Sequence, residues 1–339
     1  MERPVHIPVR FAPNAVLDEP VLQFLHAFTD ESQEVKCYTS GSTGTPKEIW
    51  VQKKRMIYSA RKTVQFFALN ADSNALLALP ARYIAGRMML VRAMVSGMQL
   101  SVVQPSLNPI KHLDCSGLDF AAFTPAQVHE MLAEPETAEK FKQIKSVIIG
   151  GAALDDGLER KLAGFPNAIY VSYGMTETLS HIALRRVGEP FYTLISNQTR
   201  ISVNADSCLQ IEDPNLTDET LQTTDVVNIV DEMHFEWLGR HDFVINSGGV
   251  KLHPERIEKK IKQLPGWENL PFFISSKPDS QFGERPILIY EEQTQEPDIS
   301  VLKSVLDKFE WPAEFHPVPQ FVYTETGKLN RKAVLALLG

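Results

Sequence analysis

Apolar residues along this chain follow two rhythms. Short uninterrupted runs rich in branched side chains recur through the first half: "ALLALP" from Ala75, "LSVVQ" from Leu100, "SVIIGG" from Ser146 and "AIYVSYG" from Ala168. Each stops at a glycine, a proline or a polar turn, the pattern of strands buried on both faces of a parallel sheet. Between them the period lengthens to that of a helix. Met56, Ile57, Ala60, Val64 and Phe67 share one helical face over 53–69. Val21, Leu22, Leu25 and Phe28 share another behind Asp18, a candidate N-cap. Alternating strands and helices predict a layered α/β sheet.

The second half reads differently. "CLQIED", "VVNIV" and "MHFEWLG" alternate apolar and polar positions, which suits antiparallel pairing. After "GRHDFVINSGG" comes a shorter set of elements. "HPERIEKKIKQL" predicts a helix opened by Pro254, with Ile257, Ile261 and Leu264 on one face. "PFFISS" and "PILIYEE" read as strands and "DISVLKSVLDKF" as a helix. "FVYT", a turn "ETGK" and a terminal helix "LNRKAVLALL" follow. The expected fold class is α/β: a large N-terminal domain over 1–241, of layered α/β sheets with a small antiparallel subdomain, and a small α+β C-terminal domain over 242–339.

Composition narrows the functional classes. With 43% hydrophobic and 22% charged residues, the chain has ample apolar material for a core. Its 339 residues suggest about two domains. A net charge of -8 argues against nucleic acid and anionic membranes as partners, so any polyanionic ligand must be held by local positive groups. Cys37, Cys115 and Cys208 have no paired spacing and fit a reducing compartment better than a disulfide framework or zinc site. The opening "MERPVHIPVRF" lacks the apolar core of a signal peptide. No apolar run approaches the roughly 18 residues of a membrane span. A cytoplasmic enzyme without an integral membrane segment is the expectation.

One short stretch points to chemistry. "CYTSGSTGTPKE" packs glycines and hydroxyls into a loop behind the predicted strand "VKCY". Such a loop can turn several backbone N–H groups into one concavity for phosphate, with Lys47 adding a point charge. A Walker-type loop needs Gly directly before the lysine and Ser or Thr directly after it. Pro46 and Glu48 occupy those places, which excludes a P-loop kinase or GTPase.

The full string Thr39-Ser40-Gly41-Ser42-Thr43-Gly44-Thr45-Pro46-Lys47 resembles the phosphate-binding signature of the acyl-adenylate-forming enzymes: acyl-CoA synthetases, peptide-synthetase adenylation domains and luciferases. Further motifs follow in the family's order. "YGMTE" (Tyr173–Glu177) resembles the second ATP motif. There the resemblance places Tyr173 and Gly174 against adenine, Thr176 on phosphate and Glu177 on Mg²⁺. "GGAAL" supplies Gly150, beside the acyl group, and Gly151, beside the nucleotide. "TTD" stands where the family carries Thr-Gly-Asp, with Asp225 on the ribose hydroxyls and Thr224 in place of the glycine. "GRHDFVINSGGVKLHPERIE" resembles the family's hinge motif. It implies Arg240 on ribose and phosphate, Asp242 as the hinge, and Gly248 and Gly249 along the tunnel for coenzyme A. "TETGKLNR" resembles the C-terminal motif whose lysine, here Lys328, stabilises the adenylation transition state.

The resemblance implies ATP and Mg²⁺ as cofactors and coenzyme A as co-substrate. It also implies a C-terminal domain that swings between two half-reactions, and it allows a homodimer. The phosphate loop comes far later in most members, so the expectation is a shortened N-terminal region. Short members of this kind, and "LPARYIAGRMMLVRAMVSG" over 79–97, resemble bacterial o-succinylbenzoate–CoA ligases. An aromatic dicarboxylic acid would then need one carboxylate activated and the other held by a cation or strong donor. Arg82, Arg87, His181 and Arg185 are the candidates, with Tyr83 and Gly86 beside the acyl group. Two alternatives stay open. One is an adenylating enzyme for another acid, either a CoA synthetase or a stand-alone loader of a carrier protein. The other is a non-catalytic nucleotide sensor.

Overall fold

The strands of the first half line up as the branched apolar runs require. The structure, a computed structural model, describes residues 8–38, 48–268, 270–293, 296–323 and 329–338. In chain order, the first elements are β1 (Arg10–Phe11), α1 (Glu19–Thr29), β2 (Glu34–Tyr38), β3 (Glu48–Gln52), α2 (Lys53–Phe66), β4 (Asn74–Leu77), α3 (Ile84–Ser96) and β5 (Gln99–Val102). They continue with β6 (Phe120–Phe123), α4 (Pro125–Ala133), α5 (Pro135–Gln143), β7 (Ser146–Ile149), α6 (Asp156–Ala163), β8 (Ala168–Gly174), β9 (His181–Arg186) and β10 (Tyr192–Leu194). Two compact units divide the chain. Met1–Leu154, Leu162–Arg200 and Glu212–Leu221 form the first, and Asp155–Lys161, Ile201–Ile211 and Gln222–Gly339 form the second.

The first unit carries the strand order β1-β5-β4-β6-β7-β8-β9-β10. The pairs from β1 through β8 are parallel, and β9 and β10 run antiparallel. Strands β4 and β7 are buried almost throughout, as their unbroken apolar runs predict, and so is β6, whereas β5 and β8 bury alternate residues. Helix α1 starts where expected, the Asp18 carboxylate accepting from the Val21 amide at 3.1 Å. Helix α4 opens with a capping box between Thr124 and Gln127. The buried face of α2 differs from the apolar reading. It runs Lys53, Met56, Ser59, Ala60 and Thr63, so two hydroxyls lie inside. Thr63 belongs there because its hydroxyl meets a polar cluster, described below.

The second unit adds β11 (Arg200–Val203), β12 (Cys208–Glu212), β13 (Leu221–Ile229) and β14 (His234–Arg240), side by side in that order. Then come β15 (Ile245–Ser247), β16 (Val250–Leu252), α7 (Pro254–Ile261), β17 (Phe272–Asp279), β18 (Gly283–Glu291), β19 (Phe315–Val318) and α8 (Arg331–Leu335). Strands β15 to β19 make the small sheet, antiparallel except for β18 and β19. Ile257, Ile261 and Leu264 face its core as the periodicity predicts, around the fully buried Trp267. The expected helix in "DISVLKSVLDKF" is a correction: only a 3₁₀ turn, Ile299–Ser304, forms. The Asp298 carboxylate takes the Ser300 amide and hydroxyl, and the Ser304 hydroxyl donates to the Val301 carbonyl. These local bonds compete with an α-helical ladder. All three cysteines are buried and free. No helix among the described residues is long and apolar enough to cross a membrane.

Candidate active site

In the first unit the candidate residues gather at the C-terminal ends of β7 and β8, where open α/β sheets bind ligands. Gly150 and Gly151 follow directly on β7. A Cβ on Gly150 would lie 2.3 Å from the Ser172 hydroxyl of β8. Gly174 ends β8 at a bulge against β9, where a Cβ would lie 2.4 Å from the Ser180 carbonyl. The loop behind it folds on itself. The Thr178 hydroxyl donates to the Met175 and Ser180 carbonyls, and Leu179 takes φ +65°, a left-handed conformation rare for leucine. Thr176 and Glu177 face out of this loop onto an open cleft of about 510 Å³, shared with Trp50, Arg55 and Asp218. Arg55 and Asp218 close an ion pair there at 2.5 Å. The Tyr173 ring packs edge-on to Tyr192, centroids 5.7 Å apart.

Behind this loop lies a buried polar cluster. Arg92 of α3 is 3% exposed and His181 of β9 is 7% exposed. The Arg92 guanidinium donates to the Ser180 hydroxyl at 2.6 Å, and its Nε atom has no hydrogen-bond partner. No carboxylate among the described residues pairs with it. Burial brings the guanidinium down to about 10, so it stays charged at neutral pH. The His181 Nε2 meets the Thr63 hydroxyl at 3.1 Å and its Nδ1 meets Ser180 at 3.3 Å. Burial, and then the neighbouring Arg92 charge, push His181 well below the usual histidine range. The cluster therefore presents one desolvated cation beside a neutral imidazole and two hydroxyls.

Sequence reasoning missed Arg92 and Thr63. A signal for Arg92 was present: a cation in the middle of the apolar run "MMLVRAMV", on a helix buried all round. Three other cations named from the sequence have different surroundings. Arg87 Nε donates to the Ala81 carbonyl at 2.9 Å, and its Nη1 donates to the Lys36 carbonyl. Arg82 is exposed and stacks on Tyr83 at 4.6 Å. Arg185 donates to the Glu189 carbonyl at 2.8 Å and lies over Tyr192. Gly86 is buried at the start of α3, where a Cβ would lie 2.4 Å from the Pro80 carbonyl.

In the second unit Asp225 of β13 accepts from the Trp237 indole at 3.1 Å. Arg240, at the end of β14, donates to the Thr224 hydroxyl at 2.7 Å and to Asp242 at 2.6 Å. Thr224, the residue in place of the family's glycine, thus supplies the arginine with a second acceptor. Asp242 lies in the 3₁₀ turn His241–Phe243. Gly248 and Gly249, at φ +59° and +83°, form the two-residue loop joining β15 to β16. Positive φ at both positions is the type I′ hairpin turn, which favours glycine. The loop Thr39–Lys47, with Thr39, Ser40, Gly41, Ser42, Thr43 and Gly44, lies outside the described residues, as does Lys328.

Residues 29–207 match the AMP-binding enzyme family, and the chain belongs to it. Three relatives show how the likeness is distributed. A crystal structure of an acyl-CoA synthetase (AMP-forming)/AMP-acid ligase II-like protein from Dyadobacter fermentans is 31% identical. The match covers 94% of each chain with a TM-score of 0.64. The 2-succinylbenzoate–CoA ligase of Staphylococcus epidermidis is 26% identical over 91% of this chain and 71% of its own length. The o-succinylbenzoate coenzyme A synthetase of Bacillus subtilis, solved with ATP and magnesium ion, shares the fold at 21% identity. Its TM-score is 0.72, over 88% of this chain and 69% of that one. Curated ligases of this name from other organisms are matched over 65% to 67% of their length.

Proposed function

We propose that the chain is an ATP-dependent acid–thiol ligase that joins o-succinylbenzoate to coenzyme A, a step of menaquinone biosynthesis in the cytoplasm. Family membership supports the activation chemistry, and the relatives named above support the acid. The observation that carries the choice of acid is Arg92. A buried cation with no carboxylate beside it is costly unless a ligand supplies the counter-charge. Ser180 and neutral His181 fix its orientation without neutralising it. A dicarboxylic acid would present its second carboxylate to Arg92 while the first is activated. A monocarboxylic acid would leave the charge uncompensated.

The described residues fit ATP carrying Mg²⁺. Glu177 offers a carboxylate and Thr176 a hydroxyl on one cleft wall. No three His, Cys, Asp or Glu side chains gather into a metal site among the described residues. Glu177 would therefore share the cation with phosphate oxygens. Bound there, the ion would neutralise charge on the phosphates. The acid's carboxylate oxygen attacks the α-phosphorus, the bond to pyrophosphate breaks, and Lys328 stabilises the developing charge. The domain from 242 onward then turns about Asp242, bringing Gly248 and Gly249 to the tunnel. The thiol of coenzyme A attacks the acyl carbon, AMP leaves, and the thiol proton goes to solvent.

Pyrophosphate release with Mg²⁺-ATP tests the reading, with o-succinylbenzoate, benzoate and octanoate compared with and without coenzyme A. Release selective for o-succinylbenzoate, followed by thioester formation with coenzyme A, is expected. Equal release with benzoate or octanoate would overturn the choice of acid, and silence with all acids would overturn the ligase.

A further inference from the structure

We propose that Arg331 is a positioning residue for the adenylation step, tying the chain just after Lys328 to the hinge; this rests on the ligase reading above. Arg331 opens α8, three positions after Lys328. Its Nη2 donates to both Glu258 carboxylate oxygens, at 2.9 and 3.0 Å, and its Nη1 donates to the Ile274 carbonyl at 3.2 Å. The same guanidinium lies 4.7 Å from the Phe243 ring centroid and 5.2 Å from that of Phe273. Phe243 belongs to the 3₁₀ turn that contains Asp242, and Glu258 lies on α7, the helix that follows the β15–β16 hairpin. Both partners of the ion pair are mostly shielded, with side-chain exposures of 16% and 15%.

The chain around Arg331 is fixed as well. Tyr323 pairs with Leu329 across residues 324–328, and the Asn330 amide donates to the Val322 carbonyl at 2.9 Å. The Asn330 side chain caps α8 through the Ala333 amide at 3.1 Å. Both ends of the lysine-bearing segment are therefore anchored, and Arg331 links its exit to the hinge turn and to α7. A planar guanidinium serves this purpose better than an ammonium, because Nη2 holds the carboxylate and Nη1 a carbonyl while the same plane lies against two rings. Glu258 completes the arrangement by accepting the Ile274 amide at 2.8 Å, which locks α7 to β17. Rotation about Asp242 then carries the segment exit as one body with the hinge turn. Arg331 touches no reacting atom. Its contribution is the geometry at which the lysine arrives.

The test measures the two half-reactions separately on the full chain: pyrophosphate release at saturating substrates, and thioester formation from supplied acyl-adenylate. Arg331→Met is expected to lower the kcat of adenylation on the order of 10- to 100-fold, the scale of a small misplacement. The KM for ATP and the thioester rate should change by less than about threefold. Glu258→Gln should reproduce the selectivity with a smaller loss, and Arg331→Lys should retain more adenylation than Arg331→Met. In a Lys328→Ala background, Arg331→Met should cost no more than about twofold, because the two act through one contact. Equal losses in both half-reactions, or full additivity with Lys328→Ala, would show a merely structural role and overturn the proposal. If Lys328→Ala acts and Arg331→Met does not, this proposal alone fails. If Lys328→Ala spares adenylation, the lysine's role fails and this proposal falls with it.

Discussion

Arg92 and Arg240 sit in different units and in opposite surroundings. Arg92 is desolvated, meets a serine hydroxyl, and has no carboxylate among the described residues. Arg240 is half-buried, and its Nη2 already pairs with a carboxylate two residues away, although its Nε, like that of Arg92, meets no partner. The difference separates two uses of the same side chain. A buried, unbalanced cation holds its electrostatic energy in reserve for a ligand, where low dielectric makes the contact strong. A solvent-exposed ion pair contributes about 1 kcal/mol or less, so its partner can be exchanged at little cost. The first suits recognition of a fixed charge. The second suits a contact remade between two half-reactions.

The largest expected effect follows from the buried member. Arg92→Met should lower kcat/KM for o-succinylbenzoate by roughly 100-fold, the scale of a lost charged hydrogen bond in a dry site. The same substitution should leave the thermal midpoint unchanged or raise it, since an apolar side chain replaces an uncompensated charge. A collapse of the midpoint would show that Arg92 is structural and would break the comparison. Next in size is Gly174→Ala. Its Cβ would meet the Ser180 carbonyl at 2.4 Å, and the other nearest atoms are also backbone, of Ser180 and His181. Denaturant unfolding should show a loss of about 2 kcal/mol.

His181 sharpens the comparison through pH. Its pKa in the folded chain lies well below 6.5, so the unfolded chain binds a proton that the folded chain does not. That contribution to stability is complete above pH 6.5 and is lost as pH falls below it, by up to about 1.4 kcal/mol per pH unit. His181→Asn should flatten this acid limb in urea unfolding between about pH 6.5 and 5. An unchanged slope would mean that His181 is not the buried neutral group described. The smallest effect belongs to the exposed pair. Asp242→Asn should shift stability by less than about 1 kcal/mol, and by still less in high salt. It should alter the ratio of the two half-reaction rates more than either the fold or the KM for ATP.

How much of this could be read from the sequence depends on the kind of residue. Unbroken branched runs gave β4 and β7 directly, because these parallel strands are buried on both faces, whereas the run of β8 lies on a strand whose burial alternates. Asp18 and Pro254 marked helix starts for local reasons of capping and fixed φ. The motif residues of β8 and β14 were legible because their order along the chain resembles a family. Thr63 was not, and Arg92 showed only as a cation inside an apolar run, with nothing to say what it faces. Apolar periodicity scores a polar residue on a buried face as noise, and only the fold shows that α2 and α3 aim those positions at β9. Arg87 drew attention as a cation at the start of an apolar run. Yet its guanidinium meets the carbonyls of Lys36 and Ala81, contacts set by the tertiary path of distant segments.

The central claim is that Arg92 binds one carboxylate of the acid. Its direct test is a cycle that pairs wild type and Arg92→Met with o-succinylbenzoate and two analogues, each lacking one carboxylate. Pyrophosphate release with Mg²⁺-ATP gives kcat/KM for each combination. The analogue without the activated carboxylate should be inert with both proteins. The other should lose roughly 100-fold with wild type and almost nothing more with Arg92→Met, since the interaction is already gone. Losses that multiply, the analogue costing Arg92→Met as much as it costs wild type, would contradict the account.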